Sequence, residues 1–280
     1  MRADLGGTCV WAYNLAMHTQ NDSVRGAARF WGEARRFEIT RQELGMSRLP
    51  ANFDGMTLAF LSDFHCSAQT PPAFLERVIV ATNHLAPDLI LLGGDYITRG
   101  ARYLEPIQNL LAQLRAPLGK FGVLGNHDFE TDVRGVKAML ARAGVTELTN
   151  RNQFVTRRGE RLVLAGVGDL WRDTQDLDAA LSGVRADEGV ILLSHNPHYA
   201  KRIADPRVRL VLSGHTHGGQ VQPPRAGAWY ANSRAGKFFV IGAVQGPTFR
   251  MYVSRGLGTV ILPLRYNCPP EITLLTLRCA

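Results

Sequence analysis

A chain of 280 residues, 45% hydrophobic and 20% charged, can bury a substantial core, and no Pro/Gly/Ser linker or low-complexity block divides it. Its four cysteines, Cys9, Cys66, Cys268 and Cys279, have no paired spacing, which excludes a disulfide framework and a zinc ribbon and fits reduced thiols. The formal net charge of +8 suits anionic ligands in general.

Residues 10–17 are apolar but far short of the ~20 needed to span a bilayer, and neither a basic flank nor a small-residue cleavage site marks an export signal. A helix over 23–36 would carry Ala27, Phe30, Trp31 and Ala34 on one face, to be packed on the body of the protein or laid on a membrane surface. Residues 1–37 therefore read as a helical N-terminal extension and 38–280 as one domain.

Five short apolar runs follow, each read as a buried strand and each leading into polar residues able to hold a metal. The run 56–62 leads into Asp63-Phe64-His65, and 89–92 into Gly93-Gly94-Asp95. The run 121–124 leads into Gly125-Asn126-His127-Asp128, and 190–193 into Ser194-His195-Asn196-Pro197. Last, 208–212 leads into Ser213-Gly214-His215-Thr216-His217-Gly218-Gly219. Between them, helical spacing covers 71–85 (Phe74, Val78, Ile79, Thr82, Leu85) and 103–114 (Leu104, Ile107, Leu110, Leu111, Leu114). Further helices are expected over 133–143, closed by Gly144, and over 176–181 and 198–203, before a β-rich tail with strands at 238–241, 248–253 and 272–277.

Ligands in open α/β sheets bind in the crevice beyond the strand C-termini. Five strand ends would thus bring Asp63, His65, Asp95, Asn126, His195, His215 and His217 to one edge. Oxygen plus imidazole donors suit a divalent transition ion such as Mn, Fe, Co or Zn, and seven donors exceed the needs of one ion with open positions, so two are expected. Singly, each motif has an ordinary reading: Gly-Asn-His-Asp as a turn, His-Thr-His as an exposed hairpin, His195 as a core histidine. All five following strands by accident is not an ordinary reading. Cys66, beside His65, is a further soft donor on paper but reads as a small filler at the pocket rim.

The ordered set Asp63-x-His65, Gly94-Asp95, Gly125-Asn126-His127-Asp128, His195 and Gly214-His215-x-His217 resembles the calcineurin-like metallophosphoesterase superfamily. Three further segments are similar to its branch of small bacterial phosphodiesterases and UDP-2,3-diacylglucosamine pyrophosphatases. They are Gly214-His-Thr-His-Gly-Gly-Gln220, Leu192-Leu-Ser-His-Asn-Pro197, and the tail Tyr252-Val-Ser-Arg-Gly-Leu-Gly258 with Pro270-Glu271-Ile272. The resemblance implies a four-layer α/β/β/α sandwich. It assigns Asp63, His65 and His217 to one ion and Asn126, His195 and His215 to the other, with Asp95 shared. It makes His127 a catalytic group facing the substrate phosphate and Asp128 the carboxylate that holds it. Two ions roughly 3.5–4 Å apart clamp a phosphoryl group and activate water as hydroxide, and an imidazole suits protonation of the leaving group.

The expected activity is metal-dependent hydrolysis of a phosphoester or phosphoanhydride with two divalent ions (Mn favoured over Fe or Zn). A general phosphodiesterase is the first reading, a UDP-2,3-diacylglucosamine pyrophosphatase of lipid A synthesis the alternative, and a non-catalytic phosphate-ligand module the reading from another class. The substrate is then a phosphorylated small molecule or a lipid-linked one, and the location cytoplasmic, with peripheral contact at the inner membrane compatible. Thr98 departs from the family's Gly-Asp-x-x-Asp-Arg pattern, which does not touch the donor set. Ten basic residues against one acid between Lys201 and Arg265 are expected to border the site in part, without the interleaved aromatics that would argue for nucleic acid.

Overall fold

The computed structural model describes residues 32–222, 241–246 and 248–280. In chain order the elements are β1 (Glu38–Met46), β2 (Thr57–Leu61), α1 (Pro72–His84), β3 (Leu89–Leu92), α2 (Leu104–Ala112), β4 (Lys120–Gly122), α3 (Asn126–Arg142) and β5 (Thr146–Glu147). There follow β6 (Arg151–Arg157), β7 (Glu160–Gly166), α4 (Leu177–Ala180), β8 (Val190–Leu193), β9 (Val208–Ser213), β10 (Gly242–Gln245), β11 (Arg250–Val253) and β12 (Glu271–Cys279). Two six-stranded mixed sheets result, ordered β1-β12-β2-β3-β4-β5 and β10-β11-β9-β8-β7-β6. In the first sheet β1 and β12 are parallel to each other and run antiparallel to β2, while β2, β3, β4 and β5 are parallel. In the second, β7, β8, β9 and β11 are parallel.

Strands covered on both faces read as unbroken apolar runs, because side chains alternate between two buried environments. In β3, Ile90 and Leu92 enter a core shared with α1, α2 and α3, while Leu89 and Leu91 enter the layer between the sheets. In β8, Ile191 and Leu193 meet that same middle layer, while Val190 and Leu192 turn outward under α4 and the 3-10 turn Pro197–Arg202. Three cores between four layers make the α/β/β/α sandwich.

All five apolar runs are strands, and the helices over 71–85 and 103–114 form with their expected apolar faces buried. The helix expected from 133 begins earlier, at Asn126, with a break at Asp132 (φ −167°, ψ 84°) whose Oδ1 accepts from the Gly135 N–H and caps the second segment. Gly144, at φ +70°, closes it. The segment 198–203 is a 3-10 turn, not an α-helix, opened by Asn196 accepting from the His198 N–H. Sequence reading missed β1 and the β6–β7 hairpin. The hairpin turn is Arg158-Gly159 with φ of +49° and +84°, the left-handed pair that matches strand twist. Most of the expected helix over 23–36 lies outside the described residues, with its visible end at Gly32 and Glu33 helical, and the expected strand 238–241 lies outside them apart from Ile241. Among the described residues no helix is long and apolar enough to cross a membrane.

Leu91 is fully buried where the two sheets face each other. Leu91→Ala is expected to cost about 2–5 kcal/mol through lost burial and a cavity that two sheets cannot close over. Urea unfolding checks this: a midpoint shift worth under ~1 kcal/mol would mean that the middle layer repacks freely.

Candidate metal centre

The C-terminal ends of β2, β3, β4, β8 and β9 converge, and all seven expected donors meet there, each almost wholly buried. The turns that deliver them are strained. Asp63 (φ +54°), His65 (+44°), Asp95 (+55°), His215 (+70°) and His217 (+53°) all lie in the left-handed region, which non-glycine residues avoid. Such conformations cost on the order of 1–3 kcal/mol each and persist where the surroundings over-determine them. Glycines allow the close approach: a Cβ on Gly125 would collide with Asp95 Oδ1, and one on Gly214 with Asp63 Oδ2.

Asp95 sits centrally. Its Oδ2 lies 3.6 Å from His65 Nε2 and 3.2 Å from His195 Nε2. On one side, His217 Nε2 is 3.0 Å from His65 Nε2 and 3.4 Å from Asp63 Oδ1. On the other, His215 Nδ1 is 3.2 Å from His195 Nε2. Asp63, His65 and His217 therefore form one donor group and Asp95, His195 and His215 another, and His65 and Asp95 form a third with His127. The outward nitrogens of two imidazoles are anchored, His65 Nδ1 against Thr98 Oγ1 at 2.5 Å and His195 Nδ1 against the Gly93 carbonyl at 2.7 Å. His195 Nδ1 donates to the carbonyl and the Thr98 hydroxyl fixes the His65 ring, so both Nε2 atoms are turned inward, the arrangement in which backing groups orient metal-binding histidines.

The donor set fits divalent metal ions. Asn126 Oδ1 and His215 Nε2 are buried with no hydrogen-bond partner, an expensive state for isolated polar atoms. Asp63 and Asp95 are buried without a Lys or Arg ion pair among the described residues, so their charge calls for another cation. Burial pushes Asp63 up to about 6, against the pull of His195, and pushes His65 down to about 3. Burial alone would raise Asp95, but His195 and His65 hold it well below the usual carboxylate range. Cys66 is not among the donors: it joins the core under the helices, and burial pushes its thiol up to about 12, away from the thiolate a metal needs.

The expected pairing of Asp128 with the His127 ring is not formed. Asp128 is fully buried and accepts three backbone N–H bonds at 2.9 Å, from Gly125 and Asp95 on Oδ2 and from Tyr96 on Oδ1. It caps α3 and ties it to the Asp95 turn, the work of an acid three residues into a helix. Burial pushes its carboxyl up to about 8, with Asp95's charge adding and the N–H bonds opposing. The His127 side chain is 26% exposed, its backbone N–H donates to Asp95 Oδ1, and its ring stands edge-on to His65 at 4.9 Å. The carboxylate beside that ring is Glu130, with Oε2 3.5 Å from Nδ1.

A cavity of about 420 Å³ opens beside the donors, and Arg99, Arg102, Tyr103, Trp171 and Ile261 are among the residues that line it. The cations at its wall thus come from the loop after β3. Of the basic stretch 201–265, Arg225, Arg234 and Lys237 lie outside the described residues, Arg207 pairs with Asp205, and Arg255 pairs with Glu271. Among the described residues of that stretch, Arg265 is the one that reaches the donors, fully buried with Nη2 3.3 Å from His217 Nδ1.

Sequence reading also missed a sixth strand end. After β7 comes Gly168-Asp169-Leu170-Trp171-Arg172, in which Asp169 Oδ1 accepts from the backbone N–H of Trp171 and of Arg172. Trp171 sets its ring edge-on to His215 at 4.3 Å. The signal was present: Leu162–Ala165 is an apolar run ending in glycines and an aspartate, like the other five.

The chain matches the calcineurin-like phosphoesterase family over residues 56–219. It is 36% identical over 257 residues to the uncharacterized metallophosphoesterase YkuE of Bacillus subtilis, covering 90% of this chain and 89% of that one. It is 31% identical over 245 residues to the phosphodiesterase YaeI of Escherichia coli, covering 86% and 88%. It is 27% identical over 301 aligned residues to the UDP-2,3-diacylglucosamine pyrophosphatase LpxG of Chlamydia trachomatis, again covering 86% and 88%. With that breadth of match and with Asp and His donors gathered at the strand ends, the chain belongs to the calcineurin-like phosphoesterases and is a phosphoester hydrolase.

Proposed function

We propose that the chain is a dinuclear phosphodiesterase, with Asp63, His65 and His217 holding one divalent ion, Asn126, His195 and His215 the other, and Asp95 serving both. The observation that carries this is the position of Asp95 Oδ2 between His65 Nε2 and His195 Nε2, at 3.6 and 3.2 Å. Two bound ions supply charge neutralisation of the phosphoryl group and activation of water. Mn²⁺ is kept as the favoured ion on the oxygen donors Asp63, Asp95 and Asn126, while the four imidazoles suit Fe and Zn equally well. His127, partly exposed at the cavity, protonates the leaving oxygen, and Asp128 contributes by fixing the turn that presents it. The catalytic domain is taken as 38–280, since β1 pairs with β12 along its whole length from Glu38.

Metal analysis and hydrolysis of bis(p-nitrophenyl) phosphate test the metal assignment. Two ions per chain are expected after reconstitution with Mn²⁺, with turnover abolished by chelation and restored by the ion. Asp95→Ala should empty or scramble both positions, whereas one clean vacancy would remove Asp95 from the shared role. His127→Ala should keep both ions and lower kcat by roughly 10²–10⁴, with less loss for good leaving groups. Metal loss as complete as in Asp95→Ala would overturn the division of roles.

A second reading takes the substrate as a UDP-linked acylated sugar, cleaved at the pyrophosphate. It is supported by the similarity to LpxG and by a cavity lined by Arg99 and Arg102 as well as Trp171 and Ile261, cations for a second phosphate and apolar surface for the rest. Release of UMP from UDP-2,3-diacylglucosamine is its expected outcome. Brisk turnover of simple diesters with no cleavage of that lipid would reject it and leave the first reading standing.

A further inference from the structure

We propose that Glu130, held by Arg172, is the carboxylate that positions the His127 imidazole, an inference resting on the role given to His127 above. Asp128 cannot take this part, because its oxygens are occupied by backbone N–H groups of Gly125, Asp95 and Tyr96. Glu130 lies three residues after His127 on the first segment of α3, on the same helix face, and lines the same cavity. Arg172 directs both of its bonds at one oxygen: Nε at 3.1 Å and Nη2 at 2.5 Å, each to Oε1. The other oxygen, Oε2, is left facing His127 Nδ1 at 3.5 Å.

That division of labour gives the carboxylate one orientation. An N–H at Nδ1 donating to Oε2 puts the ring in a single tautomer and leaves Nε2 free for the substrate's leaving oxygen. The 3.5 Å separation is longer than a made hydrogen bond, and contacts of this kind close when substrate fills the site. Arg172 is itself fixed from behind, since its backbone N–H donates to buried Asp169 in the loop after β7. The same loop sets Trp171 against His215, so one segment from the second sheet braces both His127 and a donor. As a half-exposed ion pair, Arg172–Glu130 contributes little to stability. Its place inside the catalytic cavity is therefore better accounted for by orientation than by folding.

The test compares Glu130→Gln, Arg172→Ala, His127→Ala and the double variant His127→Ala/Glu130→Gln on aryl phosphodiesters of rising leaving-group pKa, with metal content measured for each. Glutamine keeps the shape and the bond from Arg172 but offers an amide in place of the anion. Glu130→Gln is expected to keep both metals and its KM, and to lose about 10–100-fold in kcat on the poorest leaving group, the usual weight of a group that orients a catalytic one. The loss should shrink toward p-nitrophenolate, Arg172→Ala should fall between wild type and Glu130→Gln, and the double variant should be no slower than His127→Ala. The proposal is overturned by wild-type kcat across the series, by a loss blind to the leaving group, by metal loss, or by a double variant slower than His127→Ala. If His127→Ala kept wild-type kcat with its metals in place, the role of His127 would fail instead. A fall in His127→Ala with none in Glu130→Gln would reject Glu130 alone.

Discussion

Asp63, Asp95, Asp128 and Asp169 put four carboxylates in the interior at one edge of the sandwich, and among the described residues none forms an ion pair with a lysine or arginine. Charges in such a place must be met by cations or hydrogen-bonded in full. The four are met in two ways. Asp128 and Asp169 accept backbone N–H groups and act as clamps on turns. Asp63 and Asp95 lean on imidazoles, which carry full positive charge only when protonated. Divalent ions resolve that shortfall, and the strained turns place the donors where ions can do so. The two sheets and their three cores serve as the rigid support against which five left-handed residues in three turns are held.

Most of this was legible in the sequence because the site sits where periodicity stops. A strand buried on both faces announces itself as an apolar run, and a functional turn announces itself by the glycines and polar residues that interrupt it. Hence β2, β3, β4, β8 and β9 were found together with the donors that follow them. The hairpin β6–β7 was missed for the opposite reason. Strand β6 alternates exposed and covered residues in Arg151–Arg157, a weak pattern in a short segment, and its turn uses Arg158 where asparagine or aspartate is more usual. With the hairpin went Asp169, Trp171 and Arg172. Strand β1 was obscured similarly, since much of Glu38–Met46 is exposed on an edge and it is held by backbone pairing with β12.

Neighbouring residues also divide roles in ways that sequence order hides. His127 and Asp128 are adjacent in the chain, but at the start of a helix successive side chains point about 100° apart, so one faces the cavity and the other the turn below. The partner for His127 is then expected three residues on, at Glu130, and the cation that holds Glu130 comes from the other sheet, 42 residues away. The first relation is one of helical spacing, but the second cannot be read from the sequence, because it depends on how the two sheets are brought together.

The same geometry bears on why the site suits a phosphoryl group. The groups behind His65 and His195 are neutral, a hydroxyl of Thr98 and the carbonyl of Gly93, and a guanidinium nitrogen of Arg265 lies 3.3 Å from the outer nitrogen of His217. Under the two-ion assignment, the only anionic donors are Asp63 and Asp95, against two divalent ions. The centre then keeps a net positive charge, and Arg99 and Arg102 extend the positive field along the cavity wall. Had a carboxylate stood at position 98, it would have raised the basicity of His65 and drained charge from the ion that His65 holds. Threonine fixes the ring without that cost, so the charge needed to bind a phosphate and to stabilise its transition state stays available to the substrate.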